Sequence, residues 1–324
     1  MSPSTLEPGK TAGEHASVLE ANQARASALG TSLADDIHDP SAFAANLRAA
    51  FAELADPEYQ LGQHLIAPGL GPTHGVRTPL QVALRRAFAT ASRGASPSEL
   101  LFVCDRLLRE PEREARWFAI VTLQRTLPAQ PERTWQLLRR AATEADDWIT
   151  VDELAHPYGK GILAEPYRWA ELEQLTVSPS RWERRLVGST IATMPFVNRT
   201  LGRTPAVAAK GLEVLATLIG DAEPDVQKAL AWAYRSMAAV DLEATSEALE
   251  REAATAAREL DGYRGWVIRD VLPKLDRDRA AQIRERLAGV RRRVGAPPTS
   301  IASELTARFA EMGLGRHMPQ PPLT

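Results

Sequence analysis

The stretch Phe43-Ala44-Ala45-Asn46-Leu47-Arg48-Ala49-Ala50-Phe51-Ala52-Glu53-Leu54 sets Phe43, Leu47, Phe51 and Leu54 three or four residues apart. At that period side chains line one face of an α-helix, so the stretch is read as a helix with one apolar side to bury. The same spacing returns along the chain and predicts further helices at about 112–126, 131–143, 147–163, 180–193, 224–239, 242–259, 264–272 and 276–291. Nothing in the sequence sustains the period-two alternation of a half-buried strand. Helix starts are marked separately. Thr78-Pro79, Ser96-Pro97 and Thr204-Pro205 each set a capping hydroxyl before a proline, whose fixed φ and missing N–H suit the first helical position. Helix pairs recur about every 35–45 residues with short links, and such a pair buries its apolar face only by stacking on its neighbours. The expected fold is therefore all-α, a curved single-domain solenoid of HEAT-like helical hairpins spanning residues 39–294. Residues 1–38, rich in Ala, Ser, Thr and acid, are read as an N-terminal acidic extension. Residues 295–324, with Pro297-Pro298 and Pro319-Gln320-Pro321-Pro322, are read as a C-terminal tail.

Composition narrows the function classes. The 324 residues are 44% hydrophobic and 25% charged, which excludes a wholly disordered or fibrous chain. No run of 18 apolar residues occurs, and the first thirty residues lack a basic start followed by an apolar stretch. Neither a membrane span nor a secretory signal is expected, and the protein is read as cytoplasmic. A lone cysteine, Cys104, rules out an internal disulfide; in Leu100-Leu101-Phe102-Val103-Cys104 it reads as a small buried hydrophobe. The six histidines show no metal-ligand spacing with carboxylates, and Gly69-Leu70-Gly71-Pro72 lacks the following Lys-Ser or Lys-Thr of a phosphate loop. No metal or cofactor is expected. The formal net charge of −2 hides a polarity, with −6 over residues 1–60 and +5 over each of 181–210 and 261–300. Two readings of the basic segments stand: solvated helix faces, or a surface for a polyanion whose phosphates they neutralise.

Chemistry-bearing residues gather in three stretches. In Asp146-Asp147-Trp148-Ile149-Thr150-Val151-Asp152-Glu153, Trp148 and Asp152 are four apart and share a helix face, so an indole and a carboxylate can address one small group. Alone, the pair is equally a half-buried tryptophan beside a capping or solvated acid. In Ser178-Pro179-Ser180-Arg181-Trp182-Glu183-Arg184-Arg185 a basic cluster opens a helix near the end that attracts phosphate, with Trp182 reading as core. In Asp225-Val226-Gln227-Lys228-Ala229-Leu230-Ala231-Trp232 the tryptophan alone would read as packing.

Taken in order, Gly75-Val76-Arg77-Thr78-Pro79, Pro111-Glu112-Arg113-Glu114, Trp148 with Asp152, Trp182 with Arg185, and Gln227-Lys228-Ala229-Leu230-Ala231-Trp232 carry a resemblance over about residues 40–290. The chain resembles the DNA alkylation repair glycosylases of the AlkD type, a HEAT-repeat family that removes alkylated purines from DNA. The resemblance implies a DNA glycosylase of base excision repair, a hydrolase of N-glycosidic bonds that acts as a monomer on double-stranded DNA carrying a cationic N3- or N7-alkylpurine. It implies that Asp152 is the catalytic carboxylate, that Trp148 and Trp232 flank the deoxyribose of the lesion, and that Arg185 holds a DNA phosphate. Arg181, Arg184 and Lys228 are expected to contact DNA beside it. By the same resemblance the base is not enclosed in a pocket, so bulky adducts would fit. Two departures stand out: Asp147 occupies a position where the family often has a second aromatic, and Ala231 one where glycine commonly precedes the last tryptophan. His156, four residues after Asp152, is a weaker candidate for a base against a structural histidine, and Arg291-Arg292-Arg293 reads as a helix-end face against a DNA contact. The competing function is a non-catalytic HEAT-type module that binds DNA or scaffolds a protein, for which the set Trp148, Asp152, Arg185 and Trp232 would have no use.

Overall fold

The computed structural model describes residues 12–67, 69–300, 303, 304 and 307. Among them are fifteen α-helices, four short 3-10 turns and no strand, the all-α helical repeat that the periodicity predicts. No helix of the described residues is long and apolar enough to cross a membrane. The chain forms two compact units, divided between Thr122 and Leu123, where the sequence reading drew one domain over 39–294. A repeat array thins naturally into such units, because each hairpin touches only its neighbours.

The first unit contains α1 (Ala12–Ser32), α2 (Pro40–Glu53), α3 (Pro57–Ile66), α4 (Thr78–Ala91), α5 (Pro97–Leu107) and α6 (Arg113–Leu123), the last ending at the boundary. Phe43, Leu47 and Phe51 of the α2 face are fully buried and Leu54 nearly so. Phe43 meets Phe88 of α4 and Phe118 of α6 with ring centroids 5.3 and 5.9 Å away. Cys104 is buried as expected, its thiol 3.6 Å from the Ala119 carbonyl oxygen. Two of the stretches behind the resemblance meet here: the buried Glu114 carboxylate accepts from the Thr73 hydroxyl at 2.5 Å and from the Gly75 and Val76 amides at 2.9 and 3.3 Å. Gly75 sits at φ +73°, where a Cβ would lie 2.6 Å from the Asp56 carbonyl oxygen, so only glycine fits this turn.

Three expectations change. The segment read as an extension is built into the unit from α1 onward: α1 packs on α4, and Ala26, Leu33 and Ile37 are buried. Thr78 is the first residue of α4 rather than its cap; Arg77 holds the cap position without a side-chain bond, and the Thr78 hydroxyl lies 3.4 Å from that of Tyr59. Ser96 and Thr204 do cap, Ser96 in a reciprocal box with Glu99. The third change concerns the last helix, described with its unit below.

The second unit contains α7 (Pro131–Glu144), α8 (Trp148–Ala164), α9 (Trp169–Gln174), α10 (Arg181–Val197), α11 (Pro205–Leu218), α12 (Pro224–Val240), α13 (Leu242–Glu259), α14 (Gly262–Val271) and α15 (Arg277–Arg286). Helices α8, α10, α12 and α14 pack in succession, and α11, α13 and α15 pack in succession beside them. The α10–α12 approach is tight at Gly188, where a Cβ would come within 2.9 Å of the Ala229 backbone. Helix α15 stops at Arg286, short of the predicted 291, so Arg291-Arg292-Arg293 lies in irregular chain and not on a helix end. Arg292 donates to the Ala296 and Pro297 carbonyls, and Arg293 lies over the Tyr263 ring at 5.8 Å. The tail is fastened at its start. Asp270, buried and paired with Arg235, accepts from the Ser300 amide and hydroxyl, both at 2.8 Å. Residues 308–324 of that tail lie outside the described residues.

Candidate functional site

The site begins with a helix cap. Asp147 is the N-cap of α8: one carboxylate oxygen accepts from the Ile149 and Thr150 amides at 2.8 and 2.9 Å, and the other from the Thr150 hydroxyl at 2.6 Å. The acid that departs from the family pattern thus has a local use, and it makes Trp148 the first residue of α8 with Asp152 one turn further on.

Across from that turn lies the first part of α10. Arg185 grips Asp152 with two forks of its guanidinium, Nε to Oδ1 at 3.1 Å and Nη2 to Oδ2 at 2.7 Å. Its remaining arm, Nη1, donates to the Asp225 carbonyl oxygen in the first turn of α12 at 2.6 Å. The same guanidinium stands 5.8 Å from the centre of the Trp148 ring. Ser189, one turn beyond Arg185, donates from its hydroxyl to Asp152 Oδ1 at 2.6 Å. Asp152 therefore accepts three hydrogen bonds and still keeps 23% of its side chain exposed, whereas Arg185 keeps only 7%.

The other candidate residues divide by what engages them. Arg181 is exposed, stacked over Trp182 at 4.5 Å, and its nearest carboxylate oxygen, of Glu223, is 3.8 Å away. Lys228 is exposed on α12, 3.9 Å from Asp225. Arg184 is spent on the chain itself, bonding Asp221 at 2.6 Å and the Ser178 and Pro179 carbonyls at 2.8 and 3.2 Å. Trp232 is half-buried on α12, one turn after Lys228; Trp148 and Trp182 are half-buried too, while Trp135 and Trp266 are buried. His156, largely buried on α8, has its pKa lowered first by burial and then by the Lys160 ammonium, against a smaller opposing pull from Asp152. Both leading causes favour the neutral imidazole.

Of the residues that the resemblance assigns to one site, Trp148, Asp152, Trp232, Arg181, Arg184, Arg185 and Lys228, the structure puts Arg185 on Asp152 and beside Trp148. The sequence reading missed Ser189 and the Asp225 carbonyl. A signal for Ser189 existed: it stands four residues after Arg185, and so on the same helix face, in the otherwise apolar neighbourhood Leu186-Val187-Gly188. A backbone carbonyl leaves no such mark. A model of the DNA alkylation repair enzyme family matches residues 47–260, which span every residue of this cluster. A comparison with curated proteins finds none that matches the chain.

Proposed function

Because the chain belongs to the DNA alkylation repair enzyme family, we propose that it is a DNA N-glycosylase that excises N3- and N7-alkylated purines from duplex DNA, acting as a monomer and without closing a pocket around the base. The observation that carries this reading is the Asp152 carboxylate, fixed by Arg185 and Ser189, partly open, and adjoining Trp148 through the shared Arg185. Alkylation at N3 or N7 gives the purine a positive charge and makes it a good leaving group. The C1′–N9 bond then breaks with its electron pair passing to N9, the base departs neutral, and the deoxyribose becomes oxocarbenium-like. Water adds to C1′ and sheds a proton, leaving an abasic site. A preset carboxylate near C1′ stabilises the cationic sugar without the reorganisation that water would need. The indole faces of Trp148 and Trp232 would flank the sugar and favour the same charge.

Arg185 has a double part in this scheme. In the free protein it sits on Asp152. A DNA phosphate offers the same forked donors a bidentate partner, and the competition would release Asp152 Oδ2 toward the sugar. Exposed Arg181 and Lys228 supply further backbone contacts. Because the cluster offers a carboxylate, indoles and a guanidinium but no evident acid for a neutral leaving group, the lesion's own charge sets selectivity.

The test is to incubate the protein with matched duplexes carrying 7-methylguanine, 3-methyladenine, a bulky N3 adduct, hypoxanthine or uracil, and to measure free base. Release of the cationic bases alone is expected. Binding to these duplexes with no base released from any would leave a non-catalytic DNA-binding repeat, and equal rates on cationic and neutral lesions would point to a conventional base pocket.

A further inference from the structure

We propose that Ser189 is a positioning residue for base release, holding Asp152 by Oδ1 when DNA draws Arg185 away. The inference rests on the reading of Asp152 as the carboxylate that faces the deoxyribose. Ser189 is fully buried, and its hydroxyl lies 2.6 Å from Oδ1. A buried helical serine or threonine has an acceptor closer to hand, the carbonyl three or four residues back on its own helix. Thr245 and Ser246 of this chain take it, bonding the Asp241 and Leu242 carbonyls at 2.7 Å each, and Thr193 of α10 keeps it too, 3.0 Å from the Thr190 carbonyl, while also reaching the Ala155 carbonyl of α8 at 3.1 Å. Ser189 instead reaches across to α8.

The two oxygens of Asp152 are held unequally. Oδ2 has Arg185 Nη2, while Oδ1 has both Arg185 Nε and Ser189. If a phosphate claims the guanidinium, Oδ2 loses its charged donor and Oδ1 keeps Ser189. The hydroxyl is neutral and short, so it cannot follow the phosphate as a long arginine does. Ser189 thereby selects which oxygen turns to the sugar and keeps the carboxylate from swinging into solvent at the moment it is needed.

The experiment compares single-turnover base release and duplex affinity for wild type, Ser189→Ala, Ser189→Cys and Ser189→Thr on 7-methylguanine DNA. Ser189→Ala removes the hydroxyl without added bulk and Ser189→Cys keeps a weak donor in a somewhat larger side chain, and thermal melts of each variant beside wild type separate a folding loss from a rate loss. Ser189→Ala and Ser189→Cys are expected to slow release by about tenfold or more, the scale of one hydrogen bond to a charged group, with affinity within about twofold. Ser189→Thr, which keeps the hydroxyl, is expected to recover most of the rate. In an Asp152→Asn background the Ser189 changes should add no further loss. Wild-type rates in Ser189→Cys, or rate and affinity falling together without rescue by threonine, would overturn the proposal. A wild type that releases no base removes the reading of Asp152 and this inference with it, whereas an active wild type with an unchanged Ser189→Cys removes the inference alone.

Discussion

Arg185 has five N–H donors, three of which go to the Asp152 carboxylate and the Asp225 carbonyl, and in the proposed complex a phosphate competes for the fork that holds Asp152. Which it serves decides whether Asp152 is covered or open. Asp152→Asn should nearly abolish base release while duplex affinity stays within about a few-fold, because the carboxylate acts on the charge that develops in the transition state. Single-turnover rates set beside binding isotherms check this, and a variant that keeps the wild-type rate would remove Asp152 from its part. His156 supplies a prediction of a different kind. Burial and Lys160 keep its folded pKa below the unfolded value, so at acid pH the unfolded chain takes up a proton that the folded chain refuses. Its contribution is fully present above the ordinary histidine pKa of about 6.5 and is lost as pH falls from there through the lower folded value. Melting temperatures at about pH 7.5 and pH 5.5 should show a smaller acid loss for His156→Gln than for wild type; equal losses would contradict the buried neutral imidazole.

At the scale of elements, the site is a meeting of three helices: Asp152 on α8, Arg185 and Ser189 on α10, and Asp225 in the first turn of α12. Their relative placement depends on how closely the helices approach. Gly188 permits the approach of α10 to the Ala229 backbone of α12, and a methyl group there would stand 2.9 Å from that backbone with no flexible side chain to yield. Gly188→Ala should therefore push the helices apart, costing about 1–3 kcal/mol as overpacking does. It should also slow base release, because Lys228 and Trp232 ride on α12 and the Asp225 carbonyl anchors Arg185. Denaturant melts together with single-turnover rates check both parts, and a variant as stable as wild type would show that the contact gives way freely.

Across the whole molecule, the charge bookkeeping of the sequence overstates the cations on offer. Arg184, Arg264 and Arg279 are paired with carboxylates, while Arg269 and Arg292 donate to backbone carbonyls. Net charge along a segment records how many bases there are, not how many are free to meet phosphate. Duplex affinity should still fall with salt, since exposed Arg181 and Lys228 remain, and Arg185→Ala should lower the salt slope by about one unit. Arg184→Ala should leave the slope nearly unchanged and instead lower the melting temperature, because it removes the link between the Ser178-Pro179 carbonyls and Asp221. Affinity measured across a salt series separates the two variants, and equal slope changes would put Arg184 on DNA.

The sequence by itself determined most of the helices and their starts, though not α1, α3 or α9, and the face that Trp148 shares with Asp152, because each is a matter of backbone geometry repeating within a turn or two. It also marked Arg185 for the site, through the order of the stretches. What the α10 side chains pair with was decided by tertiary structure alone. Arg185 and Ser189 reach Asp152 across 33 and 37 residues of chain, and the match depends on how α10 lies against α8 and α12. The same holds for Arg184, whose partner Asp221 lies 37 residues away, and for Ser300, whose partner Asp270 lies 30 residues away. Local periodicity specifies which side of a helix a residue occupies, whereas the partner on that side depends on the register between helices. That register follows from the packing of residues distant in sequence.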